Sequence, residues 1–361
     1  MTGTALVDQP LDLAALRAQV DTVLRDFLTG KAAAAAVQHL PQEAARALAD
    51  FLAAGGKRLR PLLCVLGWQA AAGRGPIAPI IQVGAALEMF HAFCLIHDDI
   101  MDNSASRRGQ PTIHRALAAR HADGRTQAAA QRLGTGTAIL IGDLALTWSG
   151  ELLYTADLTA AQLSAVLPLV DIMRTEVMYG QYLDLTSTGH PTDDVERALA
   201  IIRYKTAKYT IERPLHIGAA LAGASDPFRA ALSEFALPIG EAFQMRDDIL
   251  GVYGNPAQTG KPCLDDLRDG KHTTLVALAL RHATPDQRRT LSVLIGDPAL
   301  GEIAASRIRR LLTDTGAQAA VEQLIQDRWE QAEQVLARAP FSPPAINVLR
   351  ELAHTALARK K

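Results

Sequence analysis

The chain has 361 residues, of which 48% are hydrophobic and 21% are charged. This composition provides enough apolar side chain for a large buried core and excludes intrinsic disorder over the whole length. The formal net charge of -1 excludes a global attraction to nucleic acid or to an anionic membrane, so any affinity for phosphate must be local.

Helical periodicity dominates the chain, and sustained alternation of apolar and polar residues is hard to find. Val321, Leu324, Ile325 and Trp329, for example, recur at steps of three and four residues, which is typical of an amphipathic helix. We therefore predict an all-α fold. In chain order, the predicted helices span 12–29, 42–54, 60–73, 78–102, 112–121, 126–154, 160–185, 192–222, 227–253, 272–282, 286–296, 302–314, 318–338 and 344–358.

No linker rich in proline, serine or charge divides the chain, and we find no repeat of fixed length, so we predict one domain over residues 1–361. We expect residues 1–10 to be disordered. The most hydrophobic stretch, 80–96, is shorter than the ~20 residues of a transmembrane helix and contains Gln82, Glu88 and His91. It predicts a buried helix and no stable membrane insertion.

The cysteines and the N-terminal residues indicate the cellular compartment of the protein. Cys64, Cys94 and Cys263 lie far apart with no paired spacing, which argues against a disulfide framework and against a zinc site. The first ten residues contain no basic residue before an apolar segment, unlike a signal peptide. We therefore expect a cytoplasmic protein.

Two acidic pairs follow apolar helical runs. If the first helix continues through Asp102, then Asp98 and Asp102 lie one turn apart on the same face, with Asp99 beside them. Like charges so placed repel, and Mg²⁺ is the natural ion to offset the repulsion. The alternative is a solvated helix end. A second pair, Asp247 and Asp248, repeats the arrangement, and the two pairs would face each other across a cavity if their helices are neighbours.

Basic residues accompany the acidic pairs. Lys57 and Arg60 lie one turn apart after two glycines, and Arg107 and Arg108 follow the first acidic pair. Guanidinium groups match phosphate oxygens in a bidentate manner, whereas lysine acts as a point charge. Two cationic groups beside two acidic ones suggest two phosphorylated substrates, one held through metal and the other held directly. Further lysines that could add charge to the site are Lys205, Lys261 and Lys271.

Eight short motifs occur in one order between about residue 45 and about residue 275. They are GGKRLRP, LIHDDIMD, RRG, GDLAL, GQYLDL, YKTAKY, FQMRDD and TGKPCLDDLRDGK. In identity, order and spacing this series resembles the trans-isoprenyl diphosphate synthases, also called polyprenyl synthetases. The resemblance implies the isoprenoid synthase fold, a bundle of long helices around a central cavity. It also implies magnesium as cofactor and a homodimer as the usual assembly.

The resemblance further implies a reaction, the head-to-tail condensation of isopentenyl diphosphate with an allylic diphosphate through an allylic cation. It assigns magnesium to Asp98, Asp99, Asp102, Asp247 and Asp248. It assigns isopentenyl diphosphate to Lys57, Arg60, His91 and Arg108. It assigns the allylic diphosphate to Arg107, Lys205, Lys261 and Lys271, and stabilisation of the cation to Thr206 and Gln244 beside Lys205.

Several assignments have a plainer interpretation. His91 could be a hydrogen-bonded core histidine, and His97 is interpreted as structural. Lys271 could be only a surface charge at a helix start, while Asp266 could support the loop that carries Lys261. The second acidic motif of the family commonly ends in a third aspartate, but here that position is Gly251, which predicts a weaker second metal site.

Product length is predicted from the helix that leads to Asp98. Phe93 and Cys94 lie five and four residues upstream, and Met89 and Phe90 occupy the next turn. An aromatic residue at the fifth position, without an insertion in the acidic motif, resembles geranylgeranyl diphosphate synthases. We therefore predict a C20 product, with C15 as the next choice. Two other functions stay open, a class I terpene cyclase of the same superfamily and a non-catalytic subunit of a heteromeric synthase.

Overall fold

The computed structural model describes residues 12–254 and 264–357 of the chain. Over these residues the fold is all-α, as predicted, and the strands are confined to one antiparallel hairpin, Ser106–Arg107 (β1) with Gln110–Pro111 (β2). The helices are α1 (Leu13–Val37), α2 (Glu43–Ala53), α3 (Leu59–Ala70), α4 (Ala78–Met101), α5 (Ile113–Arg120), α6 (Gln127–Tyr154), α7 (Ala160–Ser187), α8 (Val195–Ile201), a π-helical segment (Ile202–Glu212), α9 (Arg213–Leu221), α10 (Asp226–Tyr253), α11 (Asp265–Asp269), α12 (Thr274–His282), α13 (Pro285–Leu294), α14 (Glu302–Asp314), α15 (Ala317–Arg338) and α16 (Pro343–Leu357).

The first helix is longer than predicted. It begins where the Asp12 side chain accepts hydrogen bonds from the backbone N–H groups of Ala14 and Ala15, both at 3.0 Å. The prediction ended it before Gly30, but the structure continues to Val37. The reason is local, since a single internal glycine costs only about 1 kcal/mol and the alanine run that follows is the best helix-forming sequence available.

Two further elements differ from the prediction. The predicted helix 192–222 is helical as expected, but its middle, Ile202–Glu212, has the wider π-helical turn. The helix α11 was not predicted, because five residues are too few to show a helical period. The structure therefore differs from the sequence interpretation mainly in elements that packing, rather than periodicity, determines.

The contacts divide the chain into two compact units. In the first unit, residues 12–65 and 74–163, the buried helix α4 packs mainly on α6, and α1, α2 and α5 cover the pair. Gly84 of α4 allows close packing, because an added Cβ would lie 3.2 Å from the backbone of Pro61. The single-domain organisation stays a prediction of the sequence.

The second unit comprises residues 66–73 and 164–357 of the described chain. Its central helix is α10, which packs on the π-helical segment and on α15. A continuous cluster of buried aliphatic side chains surrounds it, including Ile202, Met245 and Ile325. This core fixes the position of the polar residues at the C-terminal end of α10.

The helix α4 is the one described helix that is long and apolar enough to cross a membrane. In the structure, 67% of its most apolar window is buried inside the protein, which is typical of the core helix of a globular protein. The predicted burial of residues 80–96 is therefore observed, and the absence of membrane insertion stays a prediction.

Candidate active site

The first acidic motif lies at the C-terminal end of α4. The helix ends at Met101, and Asp102 is its C-cap residue, whose N–H donates to the carbonyl of Asp98 at 2.8 Å. The backbone therefore keeps Asp98 and Asp102 one turn apart, as predicted. Negative side chains at a helix C-terminus are disfavoured by the helix dipole as well as by mutual repulsion, so this motif needs a cationic partner.

Arg107 supplies that partner. Its Nε donates to both carboxylate oxygens of Asp99, at 2.9 and 2.8 Å, and its Nη2 lies 3.3 Å from Oδ2 of Asp98. Asp99 is only 2% exposed. Burial works against the charged guanidinium, but the hydrogen bonds and charge of Asp99, with the charges of Asp98 and Asp102, raise the pKa of Arg107 above its ordinary value.

The remaining carboxylates fit a magnesium ion that arrives with substrate. Asp98 and Asp102 are half-buried and so more accessible than Asp99. Over residues 12–254 and 264–357, no three acidic, histidine or cysteine side chains form a complete metal centre. Magnesium is commonly held by one or two carboxylates together with substrate phosphates, and Asp98 and Asp102 are oxygen donors of that kind.

The hairpin of β1 and β2 directs the side chains of Arg107 and Arg108 to different hydrogen-bond partners. Arg107 pairs with Gln110 across the strands, and the two turn residues, Arg108 and Gly109, have φ of 53° and 74°. Positive φ at both positions is the pattern of a type I′ turn, in which a non-glycine residue is uncommon. The turn directs Arg107 to the acidic motif, whereas Arg108 donates to the carbonyl of Gly55.

Arg108 thereby joins the glycine loop before α3. Gly56 has φ of 149°, and an added Cβ there would lie 2.7 Å from Nη1 of Arg58 and 3.1 Å from Nη2 of Arg108. This backbone conformation favours glycine, and a larger residue would also have to displace the two guanidinium groups. The predicted residue Lys57 is exposed in the same loop, and Arg60 is buried at the start of α3.

Arg58 was missed by the sequence interpretation, although it lies inside the GGKRLRP motif. It is 5% exposed, donates to Asp21 at 2.7 Å, to Glu88 at 3.1 Å and to the carbonyl of Leu52 at 2.6 Å. A single carboxylate such as Glu88 in an apolar helix is a signal for a buried cationic partner. Arg58 therefore holds the loop in place and is neutralised by Glu88 and Asp21.

His91 lies among the arginines of this group. Burial first, and then the charges of Arg60, Arg108, Arg107 and Arg58, lower the pKa of His91 well below its ordinary value. The imidazole is therefore neutral near pH 7 and can take part in hydrogen bonds without carrying a charge. The structure thus brings together three of the four residues predicted for isopentenyl diphosphate, His91, Arg60 and Arg108.

The predicted floor residues stack along α4. The rings of Phe90 and Phe93 lie 5.4 Å apart between centroids, and the ring of His97 lies 4.7 Å from that of Phe93. Met89 and Phe90 are fully buried, whereas Phe93 and Cys94 are half-buried. His97 also contacts Gly142 and Asp143 of the GDLAL motif: its Nε2 lies 3.4 Å from Oδ1 of Asp143, and an added Cβ on Gly142 would lie 2.2 Å from the imidazole.

In the second unit, the predicted cation-stabilising residues form a chain of hydrogen bonds. The hydroxyl of Thr206 donates to Oε1 of Gln244 at 2.8 Å, and Nε2 of Gln244 donates to Oδ1 of Asp248 at 2.8 Å. These two bonds fix which way the Gln244 amide points. Because the Thr206 hydroxyl is a donor here, its oxygen lone pairs stay available to a positive charge.

The surroundings of the Asp248 carboxyl group disfavour its charged form. Burial raises the pKa of Asp248 to about 7, and the charges of Asp266 and Asp247 act in the same direction. The hydrogen bond from Gln244 opposes this shift. Asp266 lies close to the position of the absent third aspartate, since a Cβ added to Gly251 would lie 2.2 Å from Oδ2 of Asp266. The carboxylate of Asp266 therefore occupies the space that glycine leaves.

The predicted lysines have different surroundings. Nζ of Lys205 donates to Oδ2 of Asp184 at 2.6 Å, which gives a structural partner to the GQYLDL motif. Nζ of Lys271 lies 3.3 Å from Oδ1 of Asp266. Lys261 and Cys263 lie outside the described residues, as do residues 1–10.

The chain resembles characterised proteins over most of its length. The sequence model of the family described as Polyprenyl synthetase matches residues 41–314. The geranylfarnesyl diphosphate synthase of Aeropyrum pernix is 34% identical over 303 residues, which cover 83% of this chain and 89% of the relative. The farnesyl diphosphate synthase of Geobacillus stearothermophilus is 35% identical over 250 residues, covering 67% of this chain and 77% of the relative.

A solved structure gives the same result for the fold. The geranylgeranyl pyrophosphate synthase from Corynebacterium glutamicum, a crystal structure complexed with isoprenyl diphosphate and magnesium, matches with a TM-score of 0.88 and 37% identity over 95% of this chain and 99% of that one. Sequence and fold thus agree over nearly the whole chain. The chain belongs to the polyprenyl synthetase family of trans-prenyltransferases.

Proposed function

We propose that the protein condenses isopentenyl diphosphate head-to-tail with an allylic diphosphate in the presence of Mg²⁺ and releases a C20 prenyl diphosphate. The relatives include farnesyl and geranylfarnesyl diphosphate synthases, so the C20 product is argued from residues of this chain. Farnesyl diphosphate, C15, is the next candidate.

The observation that carries the proposal is the presence of two anion-binding chemistries along one helix. His91 of α4 lies among arginines, whose guanidinium groups can bind phosphate directly. Seven residues later, Asp98 belongs to a group of carboxylates, which can bind an anion only through a cation. A terpene cyclase ionises one diphosphate and has no use for the direct site. The arrangement therefore supports a two-substrate reaction.

In the proposed reaction, each group has a separate task. Asp98 and Asp102 would hold magnesium against the allylic diphosphate, a role that the family resemblance also assigns to Asp247. Magnesium, when bound, neutralises the charge that develops on the departing diphosphate. Arg60, Arg108 and the neutral His91 hold isopentenyl diphosphate. That both acidic motifs serve one diphosphate stays the prediction made from the sequence.

The residues of the π-helical segment act on the positive charge. The Thr206 oxygen keeps lone pairs that can face an allylic cation, and Gln244 keeps the hydroxyl oriented. Lys205 is held by Asp184 until a diphosphate oxygen competes for its ammonium group. The double bond of isopentenyl diphosphate then attacks the cation that forms as the allylic C–O bond breaks. The released diphosphate takes up the proton that the condensed cation loses as its new double bond forms.

Product length is proposed to depend on the ring of Phe93. Its ring stacks on that of Phe90 and lies tilted by 55° against that of His97, and these contacts restrict its orientation. We expect Phe93→Ala to lengthen the main product beyond C20, because the truncated side chain removes the block. Chromatography of the dephosphorylated alcohols measures the change, and an unaltered length distribution would refute the floor assignment.

A homodimer and a cytoplasmic location belong to the same proposal. The helix α6 exposes Leu133, Ile139 and Leu140, of which Leu140 is 63% exposed, and exposed apolar groups favour association. Among the described residues, Cys64 and Cys94 form no disulfide, which suits a reducing compartment. Light scattering after gel filtration tests the dimer, and cell fractionation tests the location.

The deciding experiment incubates the purified protein with Mg²⁺, isopentenyl diphosphate and each of dimethylallyl, geranyl and farnesyl diphosphate. We expect geranylgeranyl diphosphate as the main product and no turnover in the presence of EDTA. Release of a cyclic hydrocarbon without consumption of isopentenyl diphosphate would indicate a cyclase. Complete inactivity with all three starters would indicate a non-catalytic subunit.

A further inference from the structure

The π-helical segment Ile202–Glu212 is an unusual feature that carries Lys205 and Thr206. Its last wide turn is closed by the N–H of Arg213, which donates to the carbonyl of Lys208, five residues earlier. π-helical turns are rare and occur frequently at functional sites. Some interaction outside the segment must therefore favour this register over the ordinary α-helical one.

Glu176 of α7 contacts both residues that this hydrogen bond joins. Its Oε1 accepts from Nζ of Lys208 at 2.5 Å and from Nη2 of Arg213 at 2.8 Å, and its Oε2 accepts from Nε of Arg213 at 2.7 Å. The side chains of Glu176, Lys208 and Arg213 are only 16%, 17% and 12% exposed. The contact is thus a mostly buried, charge-assisted and bidentate one.

The contact depends on the helical register. In an α-helix, residues five apart point about 140° away from each other, because each residue turns the chain by about 100°. A single carboxylate on a neighbouring helix then faces only one of the two residues. In the π-helical turn each residue turns the chain by less, so the two residues that the i to i+5 hydrogen bond joins lie on the same side of the helix. The wide register therefore places Lys208 and Arg213 where one carboxylate of α7 binds both, as Glu176 does.

The same face of α7 touches the segment at two more levels. Gly180, one turn after Glu176, lies so close that an added Cβ would be 2.3 Å from the backbone nitrogen of Lys205. One turn further, Asp184 accepts from Nζ of Lys205 at 2.6 Å. A change of register at Lys208 would therefore shift Lys205 against α7 and move Thr206 relative to Gln244.

We propose that Glu176 is a positioning residue, whose carboxylate holds Lys208 and Arg213 in the π-helical register and so fixes where Lys205 and Thr206 stand. The inference rests on the proposed function, which gives Lys205 and Thr206 their roles. Both carboxylate oxygens of Glu176 are engaged by Lys208 and Arg213, so the proposal gives Glu176 no contact with substrate. Its loss should therefore slow turnover much more than it weakens substrate binding.

The test compares Glu176→Gln and Lys208→Met with wild type, and Asp171→Asn serves as the control because Asp171 is an exposed carboxylate on the same helix. Hydrogen–deuterium exchange of the metal-free protein reports on the register without any activity. We expect faster exchange in peptides that cover residues 205–213 in both variants. Peptides from α6, and all peptides of Asp171→Asn, should exchange as in wild type.

Steady-state kinetics is the second measurement. In Glu176→Gln, kcat should fall roughly 10- to 100-fold, as for the loss of residues that orient a site, with KM for both diphosphates within about twofold of wild type. We expect both variants to fold, because Glu212 lies 4.0 Å from Nζ of Lys208 and 3.7 Å from Nη2 of Arg213 and remains as a partner. Circular dichroism and a cooperative thermal transition check this point.

Each outcome bears on one proposal. Unchanged exchange over residues 205–213 in the folded variants would overturn the inference, and so would faster exchange with wild-type kcat. If wild-type protein forms no prenyl product, the proposed function fails, while the exchange result still decides whether Glu176 holds the register.

Discussion

The two acidic helix ends carry similar motifs in different electrostatic surroundings. At the end of α4, Asp99 is buried, and Arg107 donates to both carboxylate oxygens of Asp99 and to Oδ2 of Asp98. On α10, Asp247 and Asp248 precede the helix end at Tyr253 by more than a turn, and Asp248 is met by a neutral amide and by the carboxylate of Asp266.

The difference shows that a motif determines which groups are present but not how their charge is balanced. The first motif is balanced by a residue from the hairpin that directly follows it. The second motif lies beside Asp266. The ammonium group of Lys271, 3.3 Å from Oδ1 of Asp266, only partly offsets the negative charge there. We expect the first motif to contribute to stability without metal, and the second to be destabilising until a cation binds.

The largest expected effect is on stability and concerns Arg107. Arg107→Met leaves Asp99 buried without its partner, and breaking a buried pair costs about 3–5 kcal/mol of unfolding free energy. Lys271→Met, at a more exposed pair, should cost less than about 1 kcal/mol. Urea denaturation measures both variants, and adding Asp99→Asn to Arg107→Met should recover part of the loss. Equal losses for the two single variants would contradict the comparison.

The next effect is on activity. Asp98→Asn should lower kcat/KM roughly 10²- to 10³-fold, the size expected when one group that stabilises transition-state charge is lost. Asp248→Asn should lower it roughly 10- to 100-fold, as for a residue that orients its neighbours, because its carboxylate is committed to Gln244. Exposed Asp123 supplies the matched control, Asp123→Asn. A larger loss at Asp248 than at Asp98 would reverse the proposed roles.

The smallest effect is a pH dependence of stability in metal-free buffer. The pKa of Asp248 is raised from 3.8 in the unfolded chain to about 7 in the fold, so the folded protein binds this proton more tightly. Deprotonation of Asp248 therefore lowers the free energy of unfolding as the pH rises from about 4 to about 7. Above that range Asp248 causes no further loss. Thermal unfolding should show a smaller decline over this range in Asp248→Asn. Parallel curves for wild type and variant would show that Asp248 does not carry the effect.

Most helices were predictable, because their apolar period extends over several turns. The predicted 126–154 and 302–314 agree with α6 and α14 to within one residue. The hairpin of Arg107 was not predicted, since strands of two residues have no period. The π-helical segment was also hidden, because the register of YKTAKY is favoured by Glu176, a residue distant in sequence that no local pattern connects to it.

The candidate site shows the same division. Asp98 and Asp102 could be placed one turn apart from their spacing alone, and His91 could be placed on the same helix. Arg58 could not be separated from its neighbours Lys57 and Arg60, because only the fold shows that it is buried against Glu88 and Asp21. The absent third aspartate was visible as Gly251, but the carboxylate of Asp266 beside it was not.

By itself, the sequence determined the helical class, the position of most helices and the family, because these depend on periodicity and on short motifs that are local in the chain. Only the tertiary structure decided which charges pair, which titratable groups are shifted and which register the segment around Lys205 adopts. Those properties depend on burial and on distances between residues far apart in sequence, such as Glu176 and Arg213, and spacing along the chain does not encode them.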